Sequence, residues 1–239
     1  RCIAWCPVGI DIREELLAVA PPLAARPEAA RPQAIAATPG SFATARIVSV
    51  RSETEDVTTL TVGDVDPSVL AGQFGQFAMV AVPAFPPLPI SISRFGRDTI
   101  DLTIRAAGPA TAAIIGMGPR DEIGLRGPLG TSWPIERAMG HDVVIVTGGI
   151  GLAPLRPLID GLLAKRDHFD AIRLYYGART PSDQLYREEV RAWAARGDLD
   201  VELIVDRAGP GWTGPVGVVT HLFDKATWDG SRSLAFVCG

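Results

Sequence analysis

Val143-Val144-Ile145-Val146-Thr147-Gly148-Gly149-Ile150-Gly151-Leu152-Ala153-Pro154-Leu155 is the stretch on which the fold turns. Four apolar β-formers in succession predict a strand buried on both faces. A glycine cluster follows at once. Leu155, Leu158, Ile159, Leu162 and Leu163 then recur at helical spacing. Strand, glycine turn and helix form the first half of a dinucleotide-binding unit. Glycines let the backbone approach a pyrophosphate closely, and the helix start offers unpaired N–H groups to it. The spacing departs from Gly-x-Gly-x-x-Gly, because Pro154 stands where the last glycine would be. The competing reading is a tight strand-to-helix turn in any α/β domain.

Moving outward toward the C-terminus, strands alternate with helices. Ile172-Arg173-Leu174-Tyr175-Tyr176 is a strand ended by Gly177, Val201-Glu202-Leu203-Ile204-Val205 is a third, and Leu234-Ala235-Phe236-Val237-Cys238 a fourth. Thr180-Pro181-Ser182-Asp183 predicts a helix start: a capping hydroxyl, a proline in the first turn and an acid at the positive end of the dipole. That helix would carry Leu185, Tyr186, Val190 and Trp193, and a shorter one is expected over 218–223. Such alternation predicts a parallel sheet with right-handed crossovers.

Toward the N-terminus, residues 42–133 read differently. Short β-rich runs lie at 43–50, 58–62, 72–82, 90–93, 99–104 and 122–125, bounded by turns. Six such runs predict a small antiparallel barrel, with one helix from near Thr111 through Ile115. The fold class is therefore a small antiparallel β-barrel followed by an α/β parallel-sheet nucleotide-binding domain. The expected boundaries are 41–136 for the barrel and 140–239 for the α/β domain.

Ahead of these lie two segments. Residues 21–40 are rich in proline and alanine and read as a semi-rigid linker. Residues 1–20 begin Arg1-Cys2-Ile3-Ala4-Trp5-Cys6-Pro7, and Asp11 caps a short predicted helix over 12–20. Cys-x3-Cys-Pro is the closing half of the run that ligates [4Fe–4S] clusters, which makes Cys2 and Cys6 candidate metal ligands. The bland alternative is two cysteines acting as small apolar residues. The first residue is Arg1, and Gly239 follows directly on a predicted strand, so the chain is read as part of a longer one.

Composition narrows the function. The chain of 239 residues is 47% hydrophobic and 21% charged, which suits two ordinary domains with sizeable cores. Its net charge of −4 carries no basic block, which argues against a nucleic-acid partner. No apolar run approaches the ~20 residues of a membrane span, and there is no secretory start. A cytoplasmic location is expected. Three cysteines, two of them at the very start, do not form a disulfide framework. None of His141, His168 and His221 sits in a motif.

A barrel followed by a domain opening on Gly-Gly-x-Gly-x-Ala-Pro-Leu resembles the ferredoxin–NADP reductase superfamily, over residues 42–239. Pro89-Ile90-Ser91-Ile92 resembles the flavin-binding strand, which in many members reads Arg-x-Tyr-Ser or Arg-Pro-x-Ser-Ile. Gly108-Pro109-Ala110-Thr111 resembles the start of the helix that holds the flavin pyrophosphate. Gly127-Pro128-Leu129-Gly130 is similar to the turn ending the barrel. Gly177-Ala178-Arg179-Thr180 resembles the Gly-x-Arg segment beside the pyridine nucleotide, and Phe236-Val237-Cys238-Gly239 the Cys-Gly pair at the nicotinamide. Two departures stand out. Leu88 occupies the place of the flavin strand's arginine, which leaves Arg94 or Arg105 to meet the pyrophosphate. Ile90 replaces the tyrosine that stacks on the flavin in plant-type members.

A narrower likeness rests on Pro-Ile-Ser-Ile-Ser, on Gly-Trp-Thr-Gly at 211–214 and on the Cys-Ile-Ala-Trp-Cys-Pro-Val-Gly-Ile-Asp start. These resemble the diaphorase (gamma) subunits of soluble nickel–iron hydrogenases and sulfhydrogenases. The flavin/NAD subunit of anaerobic sulfite reductase and the electron-transfer subunit of dihydroorotate dehydrogenase are similar.

The resemblance implies FAD, NAD(P), a [4Fe–4S] cluster with a partial ligand set here, and a [2Fe–2S] cluster beyond the C-terminus. It implies electron transfer between NAD(P)H and iron–sulfur clusters, with iron–sulfur and catalytic subunits of a redox complex as partners. The cofactors carry the chemistry and the protein aligns and tunes them. By resemblance Ser91 bonds the flavin N5 and Cys238 sits at the nicotinamide. Pro89, Ile90, Ile92, Arg105, Gly108 and Thr111 complete the flavin set. Gly148, Gly149, Gly151, Ala153, Pro154, Gly177, Arg179, Asp206 and Gly239 complete the nucleotide set. Each has a plainer alternative: Ser91 an ordinary strand serine, Thr111 a helix cap, Arg179 a solvated loop charge, Asp206 a turn cap, Cys238 a buried small residue. NAD and NADP stay undistinguished. A stand-alone NAD(P)H-flavin or ferredoxin reductase and a non-catalytic nucleotide-binding docking subunit are the competing functions.

Overall fold

The computed structural model describes residues 2–4 (backbone only), 42–225 and 229–239. The expected helix over 12–20, the proline-rich linker and Cys6 lie outside the described residues.

Six strands close a barrel: β2 (Ala43–Ser52), β3 (Val57–Gly63), β4 (Phe77–Ala81), β5 (Leu88–Phe95), β6 (Ile100–Arg105) and β7 (Glu122–Leu129), in the order β2-β3-β6-β5-β4-β7. All its pairs are antiparallel. Alternation explains the closure. Ile47, Leu60, Val62, Ala78, Val80, Ile92, Leu102, Ile104, Ile123 and Leu125 are buried together in one core. Fully burying each large aliphatic side chain is worth about 1.5–3 kcal/mol against leaving it in water. The intervening residues of β3, β5 and β6 are polar: Thr59, Thr61, Ser91, Ser93, Asp101 and Thr103. Two short helices, α1 (Pro67–Leu70) and α2 (Pro109–Ile115), interrupt the strands. Ile114 of α2 is buried in the barrel core.

The second architecture is a five-stranded parallel sheet, β1 (Cys2–Ala4), β8 (Asp142–Gly148), β9 (Ile172–Ala178), β10 (Asp200–Val205) and β11 (Ser233–Cys238), in the order β1-β11-β8-β9-β10. Four of these strands are those the sequence predicts. The fifth, β1, pairs Cys2 with Ala235, Ile3 with Phe236 and Ala4 with Val237. Three residues are too few for alternation to reveal a strand. On one face, Val144, Val146, Tyr175, Ile204 and Val237 bury against Leu222 and Phe223, which lie on a 3₁₀ turn over Val219–Lys225. The Tyr175 and Phe223 rings meet edge to face at 5.6 Å.

Helix α3 (Leu152–Ala164) follows the glycine turn and buries Leu152, Leu155, Leu158, Ile159 and Leu162. The described chain forms two compact units, and α3 belongs to the barrel's unit although its sequence lies within 140–239. Its partner there is β5.

One expected helix is shorter than its start signal suggests. Pro181–Asp183 make a single 3₁₀ turn, Gln184 is extended, and Tyr186 takes φ 49° before α4 (Arg187–Ala194) begins. Leu185 and Tyr186 are both buried, and the Leu185 N–H donates to the Tyr176 hydroxyl at 2.8 Å. The left-handed backbone at Tyr186 separates the 3₁₀ turn from α4.

Candidate functional site

At the C-terminal end of β8 the glycine turn meets the end of β11. Register pairs Thr147 with Cys238, and Gly148 with Gly177 of β9. Gly149 has φ +50°, a left-handed conformation that residues other than glycine adopt at a cost. A Cβ on Gly151 would lie 2.6 Å from the Cys238 carbonyl carbon and from the Gly239 Cα. A Cβ on Gly239 would lie 2.8 Å from the Gly148 nitrogen. The turn is thus built around backbone-to-backbone approach, and Gly148 itself faces open space. Gly148, Gly149, Gly151, Cys238 and Gly239, expected together from sequence, are brought together here.

Cys238 is in no disulfide and is buried. Beside it in register, Thr147 is buried with its hydroxyl lacking any hydrogen-bond partner. Sequence reasoning passed over Thr147, which reads as one more β-former. Arg179 and Asp206 close adjacent strands, β9 and β10, and both are exposed. The Asp206 N–H donates to Ala178 O and the Arg207 N–H to Arg179 O, each at 2.9 Å. Backbone bonds therefore hold the two charges at neighbouring strand ends.

In the barrel, Pro89, Ile90, Ser91 and Ile92 lie on β5, opposite Met79, Ala78 and Phe77 of β4. Ile92 is buried in the core and pairs with Leu102 of β6. Ser91 therefore points to the other side of its strand, half-buried. Arg105 closes β6, three residues before the Gly108 cap of α2. Its Nε is buried without a hydrogen-bond partner and lies 3.5 Å from Asp56. Arg94 is committed elsewhere, at 3.2 Å from Asp160. Of the two candidate replacements for the missing cation at Leu88, Arg105 is the one with donor capacity to spare.

Thr111 caps its own helix: its Oγ1 accepts from Ala107 N at 2.9 Å and Gly108 N at 3.0 Å. This fixes the loop into α2, while a Cβ at Gly108 would meet nothing within 4 Å. Arg105, ion-paired with Asp56 and three residues before a turn that is open at Gly108, keeps further guanidinium donors suited to an anionic group.

Ala153 and Pro154 fall in the first turn of α3, where proline is tolerated. The Pro154 carbonyl accepts from Trp133 Nε1 at 3.1 Å. Cys2 lies on β1, and Cys6 lies outside the described residues. Among the described residues, no group of three or more His, Cys, Asp or Glu could hold a metal ion. No helix among them is long and apolar enough to cross a membrane.

Barrel, parallel sheet and glycine turn together define the fold class: ferredoxin–NADP reductase-like. The oxidoreductase NAD-binding domain family matches residues 145–239. Particular likenesses are as follows. The chain is 33% identical over 178 residues to the sulfhydrogenase 2 subunit gamma of Pyrococcus furiosus, covering 69% of this chain and 62% of that protein. It is 32% identical to a probable dihydroorotate dehydrogenase B (NAD(+)) electron transfer subunit of Methanocella arvoryzae, covering 74% of this chain and 61% of that one. In structure it matches a ferredoxin NADP+ reductase from Neisseria gonorrhoeae with bound FAD and NADP. That match has a TM-score of 0.71 at 18% identity and covers 83% of this chain and 85% of the other. The chain thus spans about three fifths of the length of the two sequence relatives.

Proposed function

We propose that this chain binds FAD along β5 at Ser91, with the flavin pyrophosphate toward Arg105 at the end of β6, takes hydride from NAD(P)H, and passes electrons on to iron–sulfur clusters of a multi-subunit redox enzyme such as a nickel–iron hydrogenase. The observation that carries this reading is the glycine turn that admits no side chain at Gly151, set against Cys238 and Gly239. A nucleotide turn and a nicotinamide-side Cys-Gly pair are separate motifs in sequence, and a common fold end is what the chemistry requires of them. The likeness to a hydrogenase gamma subunit and to an electron transfer subunit supports the wider role.

FAD, when bound, supplies the acceptor for hydride and releases electrons singly. The residues of this chain hold and orient. Arg105 and the loop from Gly108 to Thr111 would take the flavin pyrophosphate. Ser91 would donate a hydrogen bond at N5, and Pro89, Ile90 and Ile92 would shape the strand that carries it. Gly148, Gly149 and Gly151, with Ala153 and Pro154 of α3, would cradle the nucleotide pyrophosphate. Gly177 lies beside Gly148 in the sheet, and Arg179 and Asp206 would meet phosphate and ribose hydroxyl. Cys238 and Gly239 would line the nicotinamide position.

The iron–sulfur part rests on the Cys-x3-Cys-Pro spacing, with Cys2 and Cys6 as two ligands of a [4Fe–4S] cluster. A [2Fe–2S] cluster beyond Gly239 belongs to the same reading. A cytoplasmic location belongs to the same reading, since thiolate-ligated clusters and cysteines outside disulfides suit a reducing compartment.

The purified chain, reconstituted with FAD, tests this directly. NADH should bleach the flavin absorbance. Ser91→Ala should slow that reduction while leaving the nucleotide affinity close to wild type. A chain that takes up no flavin, or a Ser91→Ala variant that loses binding and rate equally, would count against the assignment.

A further inference from the structure

Helix α3 carries two charges one turn apart, Arg156 and Asp160, and both meet the barrel. Arg156 is fully buried, and its Nη1 donates to Asp101 Oδ2 at 3.0 Å. The other oxygen of Asp101 accepts from Thr61 Oγ1 at 2.9 Å. Asp160 pairs with Arg94 at 3.2 Å. Arg94 and Asp101 are themselves register partners across β5 and β6. The barrel wall therefore shows the helix a cation beside an anion, and the helix answers with the opposite order. Sliding α3 by one turn, about 5.4 Å, would set Asp160 against Asp101 or Arg156 against Arg94. Two uncharged contacts hold the same register: Trp133 on the Pro154 carbonyl, and Gly161 against the Phe74 ring.

A buried ion pair is a poor source of net stability, because desolvation offsets most of the Coulombic gain and an apolar pair often serves as well. What the alternating charges supply is discrimination between registers. We propose that Arg156 and Asp101 are positioning residues for the pyridine nucleotide. Their pair fixes the axial register of α3 on the barrel, and with it the place of the first-turn N–H groups. This rests on the reading that those groups receive the nucleotide pyrophosphate. Arg156 and Asp101 touch neither cofactor nor reacting atoms; they act through the helix.

The test uses the purified chain with FAD. Arg156→Met leaves a carboxylate buried, so the double variant Arg156→Met/Asp101→Asn, which removes both charges, is made beside it. Arg156→Lys keeps the charge on a shorter reach. Amide hydrogen exchange of α3 is read without nucleotide, NAD+ affinity by equilibrium titration, and hydride transfer by single-turnover flavin reduction. The double variant should keep its flavin and its barrel protection while α3 exchanges at least tenfold faster. Its hydride transfer should slow by about tenfold or more, since misplacements near 1 Å cost up to roughly 10²-fold. Arg156→Lys should recover part of both. A double variant with wild-type α3 exchange overturns the register role. Faster α3 exchange with unchanged NAD+ affinity and hydride transfer overturns the positioning role and leaves a structural one. Loss of flavin in step with α3 exchange assigns the pair to the barrel and overturns the proposal. A wild-type chain that takes up FAD but not NAD+ refutes the nucleotide reading itself, while the exchange result still judges the register role alone.

Discussion

Gly151 is intolerant of any side chain because the chain turns there against the backbone that ends β11. An added Cβ would sit 2.6 Å from the Gly239 Cα, and no backbone atom can rotate away as a flexible side chain would. Gly151→Ala should therefore push Cys238 and Gly239 out of place. We expect NAD(P)H affinity to fall at least tenfold, about 1.4 kcal/mol, with flavin uptake retained. Fluorescence titration with NADH reads this, and a wild-type affinity in the alanine variant would refute it. Gly148 makes a useful contrast, because a Cβ there meets nothing within 4 Å. Two glycines of one motif thus differ in kind: Gly151 is demanded by the protein's own backbone, and Gly148 leaves room for something else. The motif spacing alone does not separate those roles. Nor does it explain Thr147, whose buried hydroxyl has no partner beside Cys238. A residue of that kind is visible only once the strands are paired.

Helix α3 shows how an element can be legible in outline while its polar contacts are not. Its apolar stripe, read from Leu155, Leu158, Ile159, Leu162 and Leu163, correctly predicts a helix with a buried face. Arg156 and Asp160 stand at i and i+4, and their spacing alone gives them no partner. Both reach across to β6 and β5, and Arg156 is among the largest fully buried side chains. Gly161 marks the same face: a Cβ there would lie 2.9 Å from two atoms of the Phe74 ring. Gly161→Ala should destabilise the chain by about 1–3 kcal/mol, the usual cost of overfilling a packed contact, despite alanine's better helix propensity. Chemical denaturation measures it, and Phe74→Leu in the same background should restore part of the loss. An alanine variant as stable as wild type would show that α3 does not press on Phe74. The strands of the barrel and sheet were readable because alternation and unbroken apolar runs are local signals. The charges that fix α3, the break at Tyr186 and the three-residue strand β1 were not, since each depends on partners far away in sequence. The candidate site divides in the same way. Its glycines, Ser91 and Cys238 are motif residues. The preference for Arg105 over Arg94 needed the observation that Asp160 already claims Arg94.

At the scale of the whole molecule, the two compact units each have a core of their own, one closed barrel and one parallel sheet. A ligand that binds the native state alone stabilises it by mass action, about 2.7 kcal/mol at a hundredfold excess over its dissociation constant. If FAD lies along β5 at Ser91, with its pyrophosphate at Arg105 and the Gly108 loop, that stabilisation enters through the barrel. A barrel of this size should then melt several degrees higher, since each kcal/mol shifts a domain of 60–100 residues by roughly 4–8 °C. Amide exchange with and without FAD locates the effect. Protection should rise first in β5, in β6 and at the start of α2, where Thr111 already braces the loop through Ala107 and Gly108. The sheet strands β8 to β11 should answer instead to NAD+, which on the proposed reading would contact the glycine turn. Arg105→Ala should reduce the FAD-induced gain while leaving the NAD+ response intact, because it removes a barrel cation and nothing from the sheet. FAD protection appearing only in β8 to β11, or an Arg105→Ala chain that takes up FAD with undiminished stabilisation, would place the flavin somewhere other than the wall of the barrel.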